Sequence, residues 1–117
     1  MKRNIQKLRA TQGCLTDCVA YYFNIHPQNV PFFIYPRETW MRRLKSFFAK
    51  RGLRIFWCPY TETNKKIIRL VVGNSKKWKT LAHCVVYKGN KKIYDPNPDG
   101  NAMKGKPTHQ LVIKSRN

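Results

Sequence analysis

A chain of 117 residues, 42% hydrophobic and 13% aromatic, is long enough for one domain around a modest core and too apolar to be disordered. Twenty-four Lys and Arg against five Asp and Glu give a formal charge of +19. Such a surface attracts polyanions, whether nucleic acid, anionic headgroups or acidic polymers, and opposes self-association at low salt, so a monomer is expected. No apolar run approaches the ~20 residues of a membrane span. Met1-Lys2-Arg3-Asn4 has no apolar stretch behind it, so no secretory signal is expected. The four cysteines are then expected as reduced thiols in the cytoplasm and not as a disulfide framework.

Residues 1–12 read as an irregular basic lead-in. Cys14 to Phe23 predicts a short helix, with Leu15, Cys18, Val19, Tyr22 and Phe23 as its apolar stripe. Asn24 suits a left-handed cap, and Pro27 forbids continuation. Val30 to Pro36 is an apolar loop punctuated by prolines. A second helix is predicted from Glu38 to Arg51, with Trp40, Leu44, Phe47 and Phe48 on one face and Gly52 as its stop. The period then changes to two. Strands are predicted at Leu53–Trp57, at Ile67–Val72 (ended by Gly73-Asn74), at Leu81–Tyr87 and at Lys92–Tyr94, the last two joined through a Gly89-Asn90 turn. Leu111-Val112-Ile113 predicts a short final strand. Two helices followed by an antiparallel sheet make an α+β domain spanning the chain.

Two segments carry chemistry: Gln12-Gly13-Cys14-Leu15-Thr16-Asp17-Cys18, at a helix start, and Ala82-His83-Cys84-Val85-Val86-Tyr87 followed by Ile93-Tyr94-Asp95-Pro96. A helix N-terminus has partial positive charge and unpaired backbone N–H groups, which favour a thiolate and can bind a developing oxyanion. Cys14 is read as the nucleophile and Cys18, inside the apolar stripe, as packing. If the helix begins nearer Asp17, the roles reverse. Strand alternation sets His83, Val85 and Tyr87 on one face and Cys84 and Val86 on the other. His26 and His109 are expected at the surface. Asp95, one of only five acids, ends the next strand, where the hairpin can bring it beside His83. A thiol, an imidazole and a carboxylate are the parts of a Cys-His-Asp nucleophilic site.

Taken together, Gln-Gly, Cys14 at a short helix, Ala82-His83-Cys84-Val85-Val86-Tyr87 and Tyr94-Asp95-Pro96 resemble the papain-like cysteine peptidase superfamily. The likeness is to its compact branch, which includes the bacteriocin-processing peptidase domains of export ATPases. Cys14 to Ala20 with Asn24 to Phe33 is also similar to small uncharacterised proteins common in phages and bacteria; a phage-encoded chain would work in the host cytoplasm. The resemblance covers about residues 6 to 100. It implies a helix-plus-sheet fold in which Cys14 is nucleophile, His83 general base and acid, and Asp95 the orienting residue. No cofactor is implied, and the substrate would be a peptide or another amide. In the family a glutamine completes the oxyanion hole, typically six residues before the cysteine. Leu8 holds that place relative to Cys14, which leaves Gln6 over a slightly longer connection. Gln12 lies six residues before Cys18.

Lys76-Lys77-Trp78-Lys79 precedes the histidine strand, and Lys77, Trp78 and Lys79 form either a rim for an acidic substrate or a solvated loop. Two other classes compete with a hydrolase. One is an inactive basic module that binds nucleic acid or another polyanion, as a phage host-takeover protein would, with Trp40, Trp57 and Trp78 for stacking. The other is a structural zinc site from Cys14, Cys18, Cys58, His83 and Cys84. It is disfavoured because no second tight ligand pair exists, and no bound metal is expected.

Overall fold

The computed structural model describes residues 13–31, 33, 37–75, 82–97, 100 and 103–116. The expected lead-in over 1–12, with Gln6 and Gln12, lies outside them, as do Lys77, Trp78 and Lys79. Helix α1 runs Cys14–Phe23 and α2 runs Trp40–Ala49, each preceded or followed by a 3-10 turn, at Arg37–Thr39 and Pro27–Asn29. Five strands follow: β1 Leu53–Pro59, β2 Ile68–Ser75, β3 Ala82–Lys88, β4 Lys91–Tyr94 and β5 Met103–Ser115. They form one antiparallel sheet in the order β1-β5-β2-β3-β4. The chain is therefore an α+β protein with the cysteine-bearing helix packed on a small antiparallel sheet.

The helix ends follow local chemistry. Asn24 takes the left-handed conformation (φ 56°, ψ 47°) at the end of α1, and Ile25 N–H closes onto the Ala20 carbonyl at 3.0 Å. His26 is less a loose surface residue than a cap, since its Nδ1 accepts from Gln28 N–H at 3.1 Å. The second helix is shorter than its periodicity predicts. Arg37–Thr39 winds as a 3-10 turn, and Arg43 ties that corner down by donating to Thr39 Oγ1 and the Phe33 carbonyl.

Two strand boundaries depart from expectation. Strand β2 does not stop at Gly73-Asn74 but continues to Ser75, with the register slipping between Val72 and Asn74. A Cβ at Gly73 would fall 2.5 Å from Met103 Sδ, so the missing side chain admits β5 there. Strand β5 has 13 residues instead of three. Gly105 (φ 70°) and Pro107 hide it in the sequence, yet neither residue has a ladder partner.

Both helices cover one face of the sheet. Leu15, Cys18 and Val19 of α1 and Leu44, Phe47 and Phe48 of α2 bury against Ile55, Leu70, Val72, Cys84, Val86 and Leu111. Trp40, expected in that stripe, is only half buried and meets Trp57 edge to face. His109 stacks on Trp57 at 4.9 Å.

The opposite face holds Arg69, Val71, Val85 and Gln110, all buried. Arg69 is 1% exposed, and its guanidinium donates to the carbonyls of Thr61 (2.6 Å) and Gly89 (2.7 Å), to Gln110 Oε1 and to Asn90 Oδ1. It thereby pins the segment after β1 and the β3–β4 turn onto the sheet using neutral oxygens alone. Replacing Arg69 with Leu strands these acceptors, and Lys, with one compact ammonium, cannot span them. Arg69→Leu is expected to lose about 3 kcal/mol in urea unfolding and Arg69→Lys most of that. Faster amide exchange confined to residues 61–67 and 88–91 would trace the loss to this network.

Candidate active site

The site lies where the start of α1 passes the start of β3. Cys14 is the first residue of α1, and among the described residues no side chain caps that end. The first intrahelical bond is Asp17 N–H to the Gly13 carbonyl (2.8 Å), so the N–H groups of Cys14, Leu15 and Thr16 precede the helical ladder. Cys14 is partly exposed, and its Sγ sits 3.7 Å from the Ala82 carbonyl oxygen. His83 follows Ala82 on β3 and faces away from the helices. Asp95 is the hydrogen-bond partner of its ring, and the Cys14 thiol, held at the neighbouring Ala82 carbonyl, is near enough to raise its pKa.

The Asp95 bond is explicit. His83 Nε2 and Asp95 Oδ1 are 2.8 Å apart, with side chains 9% and 7% exposed. With Nε2 committed to the carboxylate, Nδ1 is the ring nitrogen left for the thiol. The hairpin explains the meeting, because the turn at Gly89-Asn90 pairs Val86 with Tyr94 and brings the residue after Tyr94 back beside β3. Asp95 also accepts from Asn97 N–H at 2.9 Å and from Lys92 Nζ at 3.0 Å.

Burial alone would lower the imidazole pKa. Hydrogen bonds to Asp95 and Cys14, and the charges of those groups, outweigh it and raise His83 to about 9. Burial would likewise raise the Asp95 carboxyl. Hydrogen bonds from His83, Asn97 N–H and Lys92, with the His83 charge, hold it below its ordinary value instead.

Cys18 has a different environment. It is fully buried, and its Sγ donates to the Cys84 carbonyl at 3.2 Å. Burial foremost, then the neighbouring Cys84, push its thiol well above the ordinary value. The helix start thus sets Cys14, and not Cys18, beside His83. Sequence reasoning passed over two groups at the site, Lys92 and Asn97. The i, i+3 spacing of Lys92 and Asp95 was the available signal for the first; the Asn97 contact is a backbone one and left none.

The described residues contain no cluster of three His, Cys, Asp or Glu side chains placed to hold a metal ion, and no helix long and apolar enough to cross a membrane. No protein-family model, no curated protein and no solved structure matches this chain.

The His83–Asp95 pair fixes the sign of the pH dependence. A histidine raised from 6.5 to about 9 stabilises the fold fully below pH 6.5, and that stability is lost as pH rises through about 9. The lowered Asp95 acts in the opposite direction, its contribution lost as pH falls below the ordinary carboxylate value of 3.8. Urea unfolding should therefore show a decline of at most about 3 kcal/mol between pH 6.5 and 9. Asp95→Asn should flatten that decline; an equally steep decline in the variant would assign it to another group.

Proposed function

We propose that this protein is a cysteine hydrolase that cleaves an amide bond, as its papain-like motifs suggest. The observation that carries this reading is an imidazole bonded to a nearly buried carboxylate, one residue along β3 from the carbonyl that the thiol on the first residue of a helix reaches at 3.7 Å. Cys14 sulfur attacks the amide carbonyl, and the new oxyanion is bound by N–H groups at the start of α1. His83, protonated at neutral pH, delivers its Nδ1 proton to the leaving amine as the C–N bond breaks. Water then attacks the thioester; His83 takes one of its protons, and the Cys14 thiolate departs as the acid forms, which restores the starting imidazolium. Asp95 holds the ring so that the same nitrogen serves both steps. Gln6 or Gln12 as a further oxyanion donor, and Lys77, Trp78 and Lys79 as a rim for an acidic substrate, belong to the same reading. Four free thiols suit a reducing compartment such as the cytoplasm.

Peptide-resolved alkylation by iodoacetamide at pH 6.5 is the test. Cys14 should react at least about tenfold faster than Cys58, a partly exposed thiol with no histidine partner among the described residues, and His83→Ala should abolish the difference. Equal rates in the native protein would end the hydrolase reading, and a fast Cys18 would move the nucleophile one helical turn.

A second reading, polyanion binding, is favoured by a separate observation at the β3–β4 turn. Lys88 and Lys91 are direct register partners, a like-charge pairing that costs stability by itself. Thr63 and Asn90 exchange two 2.9 Å hydrogen bonds, which bring exposed Lys65 and Lys66 to the same end. Among the described residues none of these four lysines has an ion-pair partner. A phosphodiester backbone would neutralise all four. Changing the four together to Gln should weaken binding of a fluorescent single-stranded oligonucleotide and reduce its log–log salt slope by about 2–3. Changing Lys45, Lys50, Lys106 and Lys114 instead keeps the charge loss equal. An equal effect there would mean that total charge alone is at work.

A further inference from the structure

The two oxygens of Asp95 are used differently. Oδ1 receives His83 Nε2 at 2.8 Å and Asn97 N–H at 2.9 Å. Oδ2 receives Lys92 Nζ at 3.0 Å, and the same ammonium donates to the Gly100 carbonyl at 2.7 Å. Lys92 keeps 38% of its side chain exposed while its partner carboxylate is 7% exposed. We propose that Lys92 is a positioning residue of the site, its ammonium clamped between Asp95 and the Gly100 carbonyl so that Asp95 Oδ1 stays on His83. The functional meaning of this clamp rests on the hydrolase reading; its test does not.

The need for a clamp follows from the carboxylate itself. The terminal torsion of an aspartate is broad and two-fold, so either oxygen can turn toward the imidazole and neither is held by the bond alone. Asn97 N–H restrains Oδ1, and an ammonium on Oδ2 fixes the remaining freedom. Lys92 can do this because it lies on β4, three residues before Asp95, and is the register partner of Tyr87. Tyr87 shares its strand face with His83 by alternation. Its second bond, to Gly100, prevents the long side chain from following the carboxylate if that rotates. Asp95 thus belongs to the described ion pairs twice over, once to the imidazole and once to the lysine.

Charge and position act on His83 with opposite signs. A nearby cation disfavours the imidazolium, so removing Lys92 as a mere charge raises the His83 pKa or leaves it unchanged. Removing Lys92 as a clamp frees Asp95, weakens the bond that raises the imidazole, and lowers the pKa.

The experiment is an NMR titration of the His83 ring in the full chain, comparing wild type, Lys92→Met and Lys92→Arg, with Asp95→Asn marking loss of the carboxylate's charge. From about 9 in the wild type, Lys92→Met is expected to fall by at least about one unit toward the Asp95→Asn value. Lys92→Arg should retain most of the elevation. An unchanged or raised pKa in Lys92→Met would overturn the proposal. If that variant does not fold, Lys92→Gln, whose amide can still donate to the Gly100 carbonyl without the charge, is titrated with the same two outcomes. Cys14 is the same in every variant compared, and turnover is not read. An inert Cys14 in the alkylation experiment therefore leaves the clamp standing, and a failed clamp leaves the alkylation result standing.

Discussion

Strand β3 turns successive side chains to opposite faces of the sheet, and the placement of every group in the site depends on that alternation. Cys84 and Val86 go to the helices, where the Cys18 thiol meets the Cys84 carbonyl inside the core. His83, Val85 and Tyr87 go to the other face, toward β4 and Asp95. A thiol in the middle of α1 is therefore on the wrong side of the sheet for the imidazole. At the strand's first residue the helix begins, and there Sγ of Cys14 reaches the Ala82 carbonyl. The nucleophile in the proposed reaction is selected by where a helix starts relative to a strand, a backbone relation that no property of the two cysteines themselves encodes.

The same geometry accounts for how much of the site was legible in the sequence. Cys14, His83 and Asp95 could be named because helix start, strand and hairpin each leave local signatures: Gly13, the two-residue apolar period, and Gly89-Asn90. The choice between Cys14 and Cys18 was less secure, since a helix boundary read from sequence is uncertain by about a turn, and a turn is the distance between them. Strand β5 was mostly missed for a related reason. Lys104, Gly105, Lys106 and Pro107 carry no strand signal because their residue types fit poorly in a ladder, and in the structure three of them, Gly105, Lys106 and Pro107, have no ladder partner.

Arg69 was invisible for a different reason. Among 24 cationic residues, nothing in composition or spacing distinguishes a fully buried arginine from a solvated one. Its position on β2, among Leu70, Val71 and Val72, was the one clue, and alternation alone leaves open which face is covered. What covers it is the segment after β1, joined to the β3–β4 turn through Thr63 and Asn90. That closure is long-range in sequence and leaves no periodic trace.

Scarcity of carboxylates ties these features together. A buried guanidinium ordinarily calls for a carboxylate, yet the two terminal nitrogens of Arg69 bond to carbonyl and amide oxygens, those of Thr61, Gly89, Asn90 and Gln110, while its buried Nε has no partner among the described residues. The acid that a fold of this charge could have spent there is absent, and the described ion pairs are both concentrated on Asp95. An uncompensated arginine on the same sheet face as His83, within a chain of +19, favours neutral imidazole and ionised carboxylate. The elevated His83 pKa is therefore held against the field of the whole molecule by the hydrogen bonds and charges of its immediate neighbours, Asp95 and Cys14. Electrostatics at this site is a contest between a diffuse positive potential, screened within about 10 Å at ordinary salt, and a hydrogen bond of 2.8 Å that salt hardly touches. The positive field that works against the imidazolium also favours an oxyanion at the start of α1. An excess of cations and a single well-held carboxylate are thus compatible requirements of the chemistry proposed for this chain.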